Sequence, residues 1–87
     1  MALIIAEGGV ASLYPGIGDT IYVPAGIVQI GSFGGVMGAG GVTEASVIVD
    51  GTVIGQSRYG IGLDDDGRYY GGHSVLIGET GVVRSAI

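Results

Sequence analysis

The sequence has no cysteine among its 87 residues. Neither a disulfide nor a thiolate metal site can therefore stabilise the chain. A chain of this length forms one domain at most and buries only about two thirds of its unfolded surface. We therefore predict a single domain over residues 1–87 whose stability depends on packing against partner chains.

Lysine is also absent, and three arginines stand against eight acidic residues, which gives a net charge of −5. Nucleic acids and acidic lipid surfaces both require clustered cations, so we expect neither as a partner. The stretch Met1–Glu7 lacks the basic start and the long apolar core of a secretory signal. This predicts synthesis and assembly in the cytoplasm, or else a fragment whose export signal lies elsewhere.

Glycine and apolar side chains dominate what is present. The chain has 20 Gly, 47% hydrophobic residues and only 13% charged residues. Each glycine inside a helix costs about 1 kcal/mol relative to alanine, whereas turns and close backbone contacts favour glycine. The composition therefore disfavours helices. So much apolar surface on a small domain also predicts that part of it faces another subunit.

A pattern of strand, turn and strand recurs along the chain. It is clearest in Val47–Ile61 and returns in Val75–Ile87, with looser copies in Ile21–Gly31 and Leu3–Ser12. Runs of β-branched residues separated by glycine-containing turns are typical of strands. The sequence therefore predicts an all-β fold of short, Gly-rich strands in a β-solenoid-like repeat. A compact antiparallel β-sandwich or barrel is the alternative.

For two segments the sequence allows more than one structure. Asp50-Gly51 is a strong hairpin signal, but the same dipeptide turns a corner in a solenoid. Thr20–Thr43 carries no charge and is long enough for a membrane helix, although Pro24 and several glycines disfavour one. We expect it to form strands followed by a flexible Gly-rich loop at about residues 31–41.

Several short motifs resemble the repeats of bacterial and phage β-solenoids, found in surface adhesins, haemolysin-like secreted proteins and tail fibres. They are Gly51–Gly55, Tyr59–Gly62 and Gly81–Val83, and Gly18–Gly26 looks like the opening coil of a right-handed parallel β-helix. The resemblance touches about half of the chain and implies a structural or adhesive role. The sequence departs from such solenoids in having no asparagine for corner ladders and in the uneven spacing of its repeats.

Three consecutive carboxylates, Asp64, Asp65 and Asp66, are the candidate metal ligands. Calcium prefers carboxylate and carbonyl oxygens, and the preceding glycines partly overlap the calcium-binding nonapeptide of secreted β-rolls. The motif occurs once, with no second copy to complete the ligand shell. A solvated turn is therefore the alternative to a calcium site, and no other cofactor is expected.

The sequence offers no catalytic constellation. His73 is the only histidine, and no Gly-x-Ser-x-Gly elbow is present. We therefore predict that the protein is not an enzyme. Tyr59, Tyr69 and Tyr70 have the rings that stack on sugars, but tyrosines on short strands more often lie at a sheet face or a subunit contact.

Together these features predict a structural protein that assembles with copies of itself, as a trimer or larger, in a virion or a cell-surface structure. The expected role is a small capsid-decorating or tail component, with other coat or shell proteins as further partners. Apolar strands without polar caps at both ends are the basis for this expectation. Alternatives are a calcium- or carbohydrate-binding module excised from a secreted adhesin, and a functional amyloid subunit. The expected assembly contacts are Leu3, Ile4, Ile5, Val82, Val83, Ile87, Tyr69 and Tyr70.

Overall fold

A computed structural model of the chain contains short β-strands throughout the residues it describes, which are 2–32, 34–38, 43–57, 59–63 and 72–85. These ranges contain no helix, and so none that is long and apolar enough to cross a membrane. The predicted all-β fold is confirmed. The strands are β1 (Leu3–Ile5), β2 (Gly9–Val10), β3 (Thr20–Val23), β4 (Val28–Gly31), β5 (Gly34–Met37), β6 (Ser46–Val49), β7 (Thr52–Gly55), β8 (Tyr59–Gly62), β9 (Ser74–Ile77) and β10 (Val82–Ser85).

The strands form three sheets. The first sheet has the order β1-β3-β6-β9, the second has the order β2-β4-β7-β10, and the third pairs β5 with β8. Every strand pairing within the described ranges is parallel. Within the described residues the chain passes from the first sheet to the second four times, and the two middle passages continue into the third. The alternative of an antiparallel sandwich or barrel is therefore wrong for the described strands.

The Asp50-Gly51 dipeptide turns a corner between two sheets. It joins β6 of the first sheet to β7 of the second, so it does not close a hairpin. The amides of Asp50 and Gly51 both donate to the carbonyl of Val23, at 2.8 and 3.0 Å. A Cβ atom at Gly51 would overlap the carbonyl oxygens of Pro24 and Ile27. The corner thus requires glycine because neighbouring backbone passes too close for any side chain.

Register within the first sheet aligns the repeated segments. Ile21, Val47 and Val75 are successive register partners, in agreement with three of the predicted repeat starts. In the first segment the partner of Ile21 is Ile4, so this repeat begins one residue later than the predicted start at Leu3. Side chains alternate between the two faces of a strand, so this register puts apolar residues in the interior. The fully buried residues of this sheet are Ile21, Val23, Val47 and Val49.

The prediction of a flexible loop at about residues 31–41 is wrong for Gly34–Met37. These residues form β5, which is buried along its length and pairs with β8. A Cβ atom at Gly35 would overlap the side chain of Val53, so glycine here allows the backbone to lie directly on the core. Residues 33 and 39–42 of the expected loop lie outside the described residues.

Among the described residues, one polar side chain is enclosed by the apolar interior. Gln29 of β4 is 2% exposed and is the register partner of Gly9 and of Val53. Its Nε2 donates to the carbonyl of Ala11 at 2.6 Å, and its Oε1 accepts from the amide of Gly8 at 3.2 Å. A buried amide is tolerated when its polar atoms find partners. The Gln29 side chain therefore holds the backbone on both sides of the short strand β2 by hydrogen bonds, at a position where Gly9 has no side chain to pack.

We predict that Gln29→Leu lowers the free energy of unfolding by about 1–3 kcal/mol, because Gly8 and Ala11 lose their polar partner while the volume hardly changes. Urea unfolding measures the effect. Gln56→Leu is the matched control, because Gln56 is exposed and the same change there should stay within about 0.5 kcal/mol. Equal effects of the two substitutions would contradict the anchoring role of Gln29.

Candidate functional site

The two ends of the sheets are the surfaces at which the fold is unfinished. β1 and β2 lie at one end of the first and second sheets, and β9 and β10 lie at the other. We call these pairs the N-terminal end and the C-terminal end. Each of the four strands has one neighbour in its sheet and leaves its outer edge without a strand partner among the described residues. Such edges carry backbone groups that are ready to pair with another strand.

The C-terminal end exposes side chains that belong to the core by position. Val75 and Ile77 of β9 are the register partners of Val47 and Val49. The latter two are fully buried, but Val75 is 47% exposed and Ile77 is 44% exposed. The four residues share one side of the sheet, and the difference arises because β9 lies at the edge of the sheet, with no further strand beyond it among the described residues. This end has the composition of an interior layer and the exposure of a surface.

The N-terminal end is apolar as well, but has a different shape. Ile4 packs against the core and Ala6 is buried, while Leu3, Ile5 and Val10 are exposed. Ala6 continues the register of β1, since its amide donates to the carbonyl of Tyr22 at 2.8 Å. The side chains that face inward at this end are therefore one large residue, Ile4, and one small residue, Ala6.

An apolar row also crosses the outer face of the first sheet. Ile5, Tyr22, Ile48 and Leu76 are successive register partners from β1 to β9. Both of its outermost members, Ile5 and Leu76, are exposed. Beside this row, the Ser74 hydroxyl donates to Oγ of Ser46 at 3.0 Å, which adds a cross-strand polar contact. The row gives the outer face a continuous apolar stripe that ends at both open edges.

Side-chain hydrogen bonds hold the corner between the first and second sheets. The Tyr22 hydroxyl donates to Oδ2 of Asp50 at 2.9 Å, and the Thr80 hydroxyl donates to the Asp50 carbonyl at 2.6 Å. The hydrogen bond to Asp50, together with burial and the nearby negative charge, raises the pKa of Tyr22 above its usual 10.0. One residue of the third passage thus connects the second passage to the fourth. These hydrogen bonds give Asp50 a structural role at the corner.

Asp19 fastens the chain next to the N-terminal end. Its Oδ2 accepts the amide of Gly16 and its Oδ1 accepts the amide of Ala2, both at 2.8 Å. These two hydrogen bonds stabilise the carboxylate, so the pKa of Asp19 is lowered from its usual 3.8. Because Ala2 directly precedes β1, the Asp19 side chain connects the start of that strand to the turn at Gly16.

The structure places the expected assembly contacts at opposite ends of the molecule. Leu3, Ile4 and Ile5 form β1, and Val82 and Val83 begin β10. Leu3, Ile5 and Val82 are exposed, whereas Ile4 and Val83 are half-buried against the core. The remaining expected residues lie outside the described residues; these are Tyr69, Tyr70 and Ile87, together with the candidate calcium ligands Asp64, Asp65 and Asp66.

Sequence reasoning missed the most informative surface residues, Val75, Leu76 and Ile77. The sequence predicts this run as a strand, but its exposure follows from the position of β9 at the edge of its sheet, which a local pattern does not reveal. The sequence signal for this surface is the similarity of the run to Val47–Val49.

The remaining candidate chemistry finds structural explanations or no support. Nδ1 of His73 accepts a hydrogen bond from the amide of Ala45 at 3.2 Å. This bond connects the residue before β9 to the residue before β6. Tyr59 lies at the surface in β8. Within the described ranges no three His, Asp or Glu side chains lie close enough to hold a metal ion. No family model, no curated protein and no solved structure matches the chain.

We predict that the stability of the protein falls as the pH drops below about 3.8, the usual pKa of Asp19. A lowered pKa means that the folded state favours the carboxylate, so its contribution is complete above 3.8 and is lost as the pH falls towards the folded pKa. Asp19→Asn should melt at a lower temperature at pH 7 and should lose less between pH 7 and pH 3. An equally steep acid loss in this variant, followed by circular dichroism, would assign the effect to other groups.

Proposed function

We propose that this protein is a non-enzymatic structural subunit that assembles with copies of itself through the open ends of its sheets. The observation that carries the proposal is the exposure of Val75 and Ile77, whose register partners Val47 and Val49 are fully buried. An exposed apolar surface built like a core layer is typical of a site at which another molecule binds. A second β surface supplies both the apolar cover and the missing backbone hydrogen bonds.

The proposal includes a finer description of the fold, in which each passage through the sheets is one coil of a β-solenoid. Parallel pairing of consecutive passages supports it, as does the register that stacks Ile21, Val47 and Val75. Corner hydrogen bonds support it too, because Asp50 and Gly78 donate in turn to the carbonyls of Val23 and Val49. Solenoids require capping elements at their ends to stay soluble as single chains. Neither described end has a polar cap.

The size of the exposed apolar surface makes association favourable. Burial of apolar surface contributes about 25 cal/mol per Å², so covering side chains such as Val75, Leu76 and Ile77 contributes several kcal/mol in total. The strands of the two ends contain a single charged residue, Arg84, so no like-charged pair lies between the strands themselves. Net charge elsewhere on the chain is negative, which keeps the assembled particle soluble.

Within structural proteins, the role that best fits is a repeated subunit of a larger particle, such as a capsid-decorating or tail component of a virion. The chain is short and poor in charge, and it offers two apolar ends. A subunit of this kind needs surfaces that recognise copies of itself and of neighbouring coat proteins, and it needs no pocket for a substrate. No observation on the described residues favours the calcium- or carbohydrate-binding alternative over this role.

We predict that the purified protein is a trimer or larger at micromolar concentration, as measured by sedimentation velocity and native mass spectrometry. Val75→Asp should shift it towards the monomer mass, because a carboxylate would be buried against an apolar partner. Val28→Asp is the matched control, since Val28 is 43% exposed on the outer side of the inner strand β4. A well-folded monomer of the unmodified protein at this concentration would refute the proposed function.

A further inference from the structure

We infer that the copies join head to tail, with the C-terminal end of one copy adding in parallel to the N-terminal end of the next, in the register that the chain already uses internally. This inference rests on the proposed function and specifies its contact. The partner is a second copy of this chain, and the pairs that form are β9 with β1 and β10 with β2. Each copy then continues the sheets of the copy before it.

Continuing the register of the first sheet brings matching side chains together. Ile4 stacks on Ile21, which stacks on Val47, which stacks on Val75. The next step of the same series places Val75 against Ile4 of the following copy. It also places Ile77 against Ala6, so that a large exposed side chain meets a small one. Every inward residue of β9 thereby receives an inward partner, which is the arrangement found between all neighbouring strands of this sheet.

The second sheet continues with the same step. Gly9, Gln29, Val53 and Val83 are successive register partners, so Val83 of one copy comes to lie against Gly9 of the next. The space around Gly9 is open, since a Cβ atom built there meets nothing within 4 Å. The half-buried side chain of Val83 can therefore pack into the space beside Gly9, where β2 of the next copy has no side chain.

The corner hydrogen bonds indicate how the junction between copies is made. The residue after β6, Asp50, donates its amide to the carbonyl of Val23, and the residue after β9, Gly78, donates to the carbonyl of Val49. The corresponding residue of the first passage is Glu7, which follows Ala6. Its amide has no hydrogen-bond acceptor within the described ranges. In a head-to-tail contact it donates to the carbonyl of Ile77 of the preceding copy.

The dimensions of the ends suit a stable contact. The molecule measures 30 by 26 by 20 Å. A face bounded by two of these dimensions has an outline of roughly 500–800 Å², which approaches the ~800 Å² per partner of a standard interface.

A two-fold contact between identical ends fits these observations less well. It would make every strand pair across the interface antiparallel, whereas all pairs within the described chain are parallel. It would also leave the Glu7 amide without the Ile77 carbonyl that continues the series of corner hydrogen bonds. A head-to-tail contact uses two different surfaces and does not close on itself along a straight axis, so it generates an open fibre. The inference therefore favours a fibrous or tail-like structure over a closed shell.

Disulfide trapping tests the arrangement directly, because the chain has no cysteine of its own. Ile5 and Leu76 lie in one outward row and are exposed, and head-to-tail pairing makes them neighbours across the interface. Adjacent strands place paired Cα atoms about 4.8 Å apart, within the range that a disulfide spans. Ile5→Cys and Leu76→Cys are prepared separately, mixed in equal amounts and oxidised under mild conditions.

We expect at least tenfold more disulfide dimer in the mixture than in either variant alone, and mass spectrometry should identify it as the Ile5→Cys, Leu76→Cys heterodimer. Val28→Cys mixed with Leu76→Cys is the matched control and should give only the background level. A second pair, Leu3→Cys with Ser74→Cys, lies in the neighbouring outward row and should crosslink in the same way. This pair serves where either substitution of the first pair alters the circular dichroism spectrum.

The outcomes separate the inference from the function on which it rests. Homodimers in the single variants would overturn head-to-tail pairing in favour of a two-fold contact. Large species in sedimentation without a crosslink from either pair would overturn it in favour of lateral contacts, and the proposed self-assembly would stand. Monomers in sedimentation would remove both the inference and the proposed function.

Discussion

The structure depends on apolar side chains that stack on their register partners across parallel strands. Ile21 on Val47 and Val23 on Val49 form the centre of this packing, and all four are fully buried. Side chains alternate between the faces of a strand, so a slip of one residue would exchange the interior set for the outer set. The register is therefore fixed by burial, and the rest of the chain has to connect the strands without disturbing it.

The corners meet that requirement with different lengths of chain. Pro24–Ile27 joins β3 to β4 with four residues, and Asp50-Gly51 makes the equivalent connection with two. Both corners still stack, because the Ile27 carbonyl accepts the amide of Thr52 and the Val23 carbonyl accepts the amides of Asp50 and Gly51. The uneven spacing of the repeats is thus absorbed at the corners and in the longer connections. It leaves the strand register intact, and so it does not argue against stacked passages.

Much of the strand content could be read from the sequence, because β-branched runs and glycine turns carry a local signal. The alignment of Ile21, Val47 and Val75 followed from the similarity of their segments. The strand at Gly34–Met37 could not be found in this way, since two of its four residues are glycines and its burial comes from contacts with distant residues such as Val53. The choice between hairpin and corner at Asp50-Gly51 likewise depended on which sheet each flanking strand joins. The exposure of Val75 and Ile77 depended on the order of strands in the sheet.

A stack of parallel strands buries its interior only between neighbouring layers, so its outermost layers are half exposed unless other elements cover them. In this chain the last layer keeps the side chains of an inner layer, as Val75 and Ile77 repeat the chemistry of Val47 and Val49. The first layer is different, because Gly9 offers space and Gln29 holds the backbone beneath it. A head-to-tail contact needs two unlike surfaces that fit each other. The difference between the ends is therefore what a repeating assembly requires, whereas two identical apolar ends would favour only pairs.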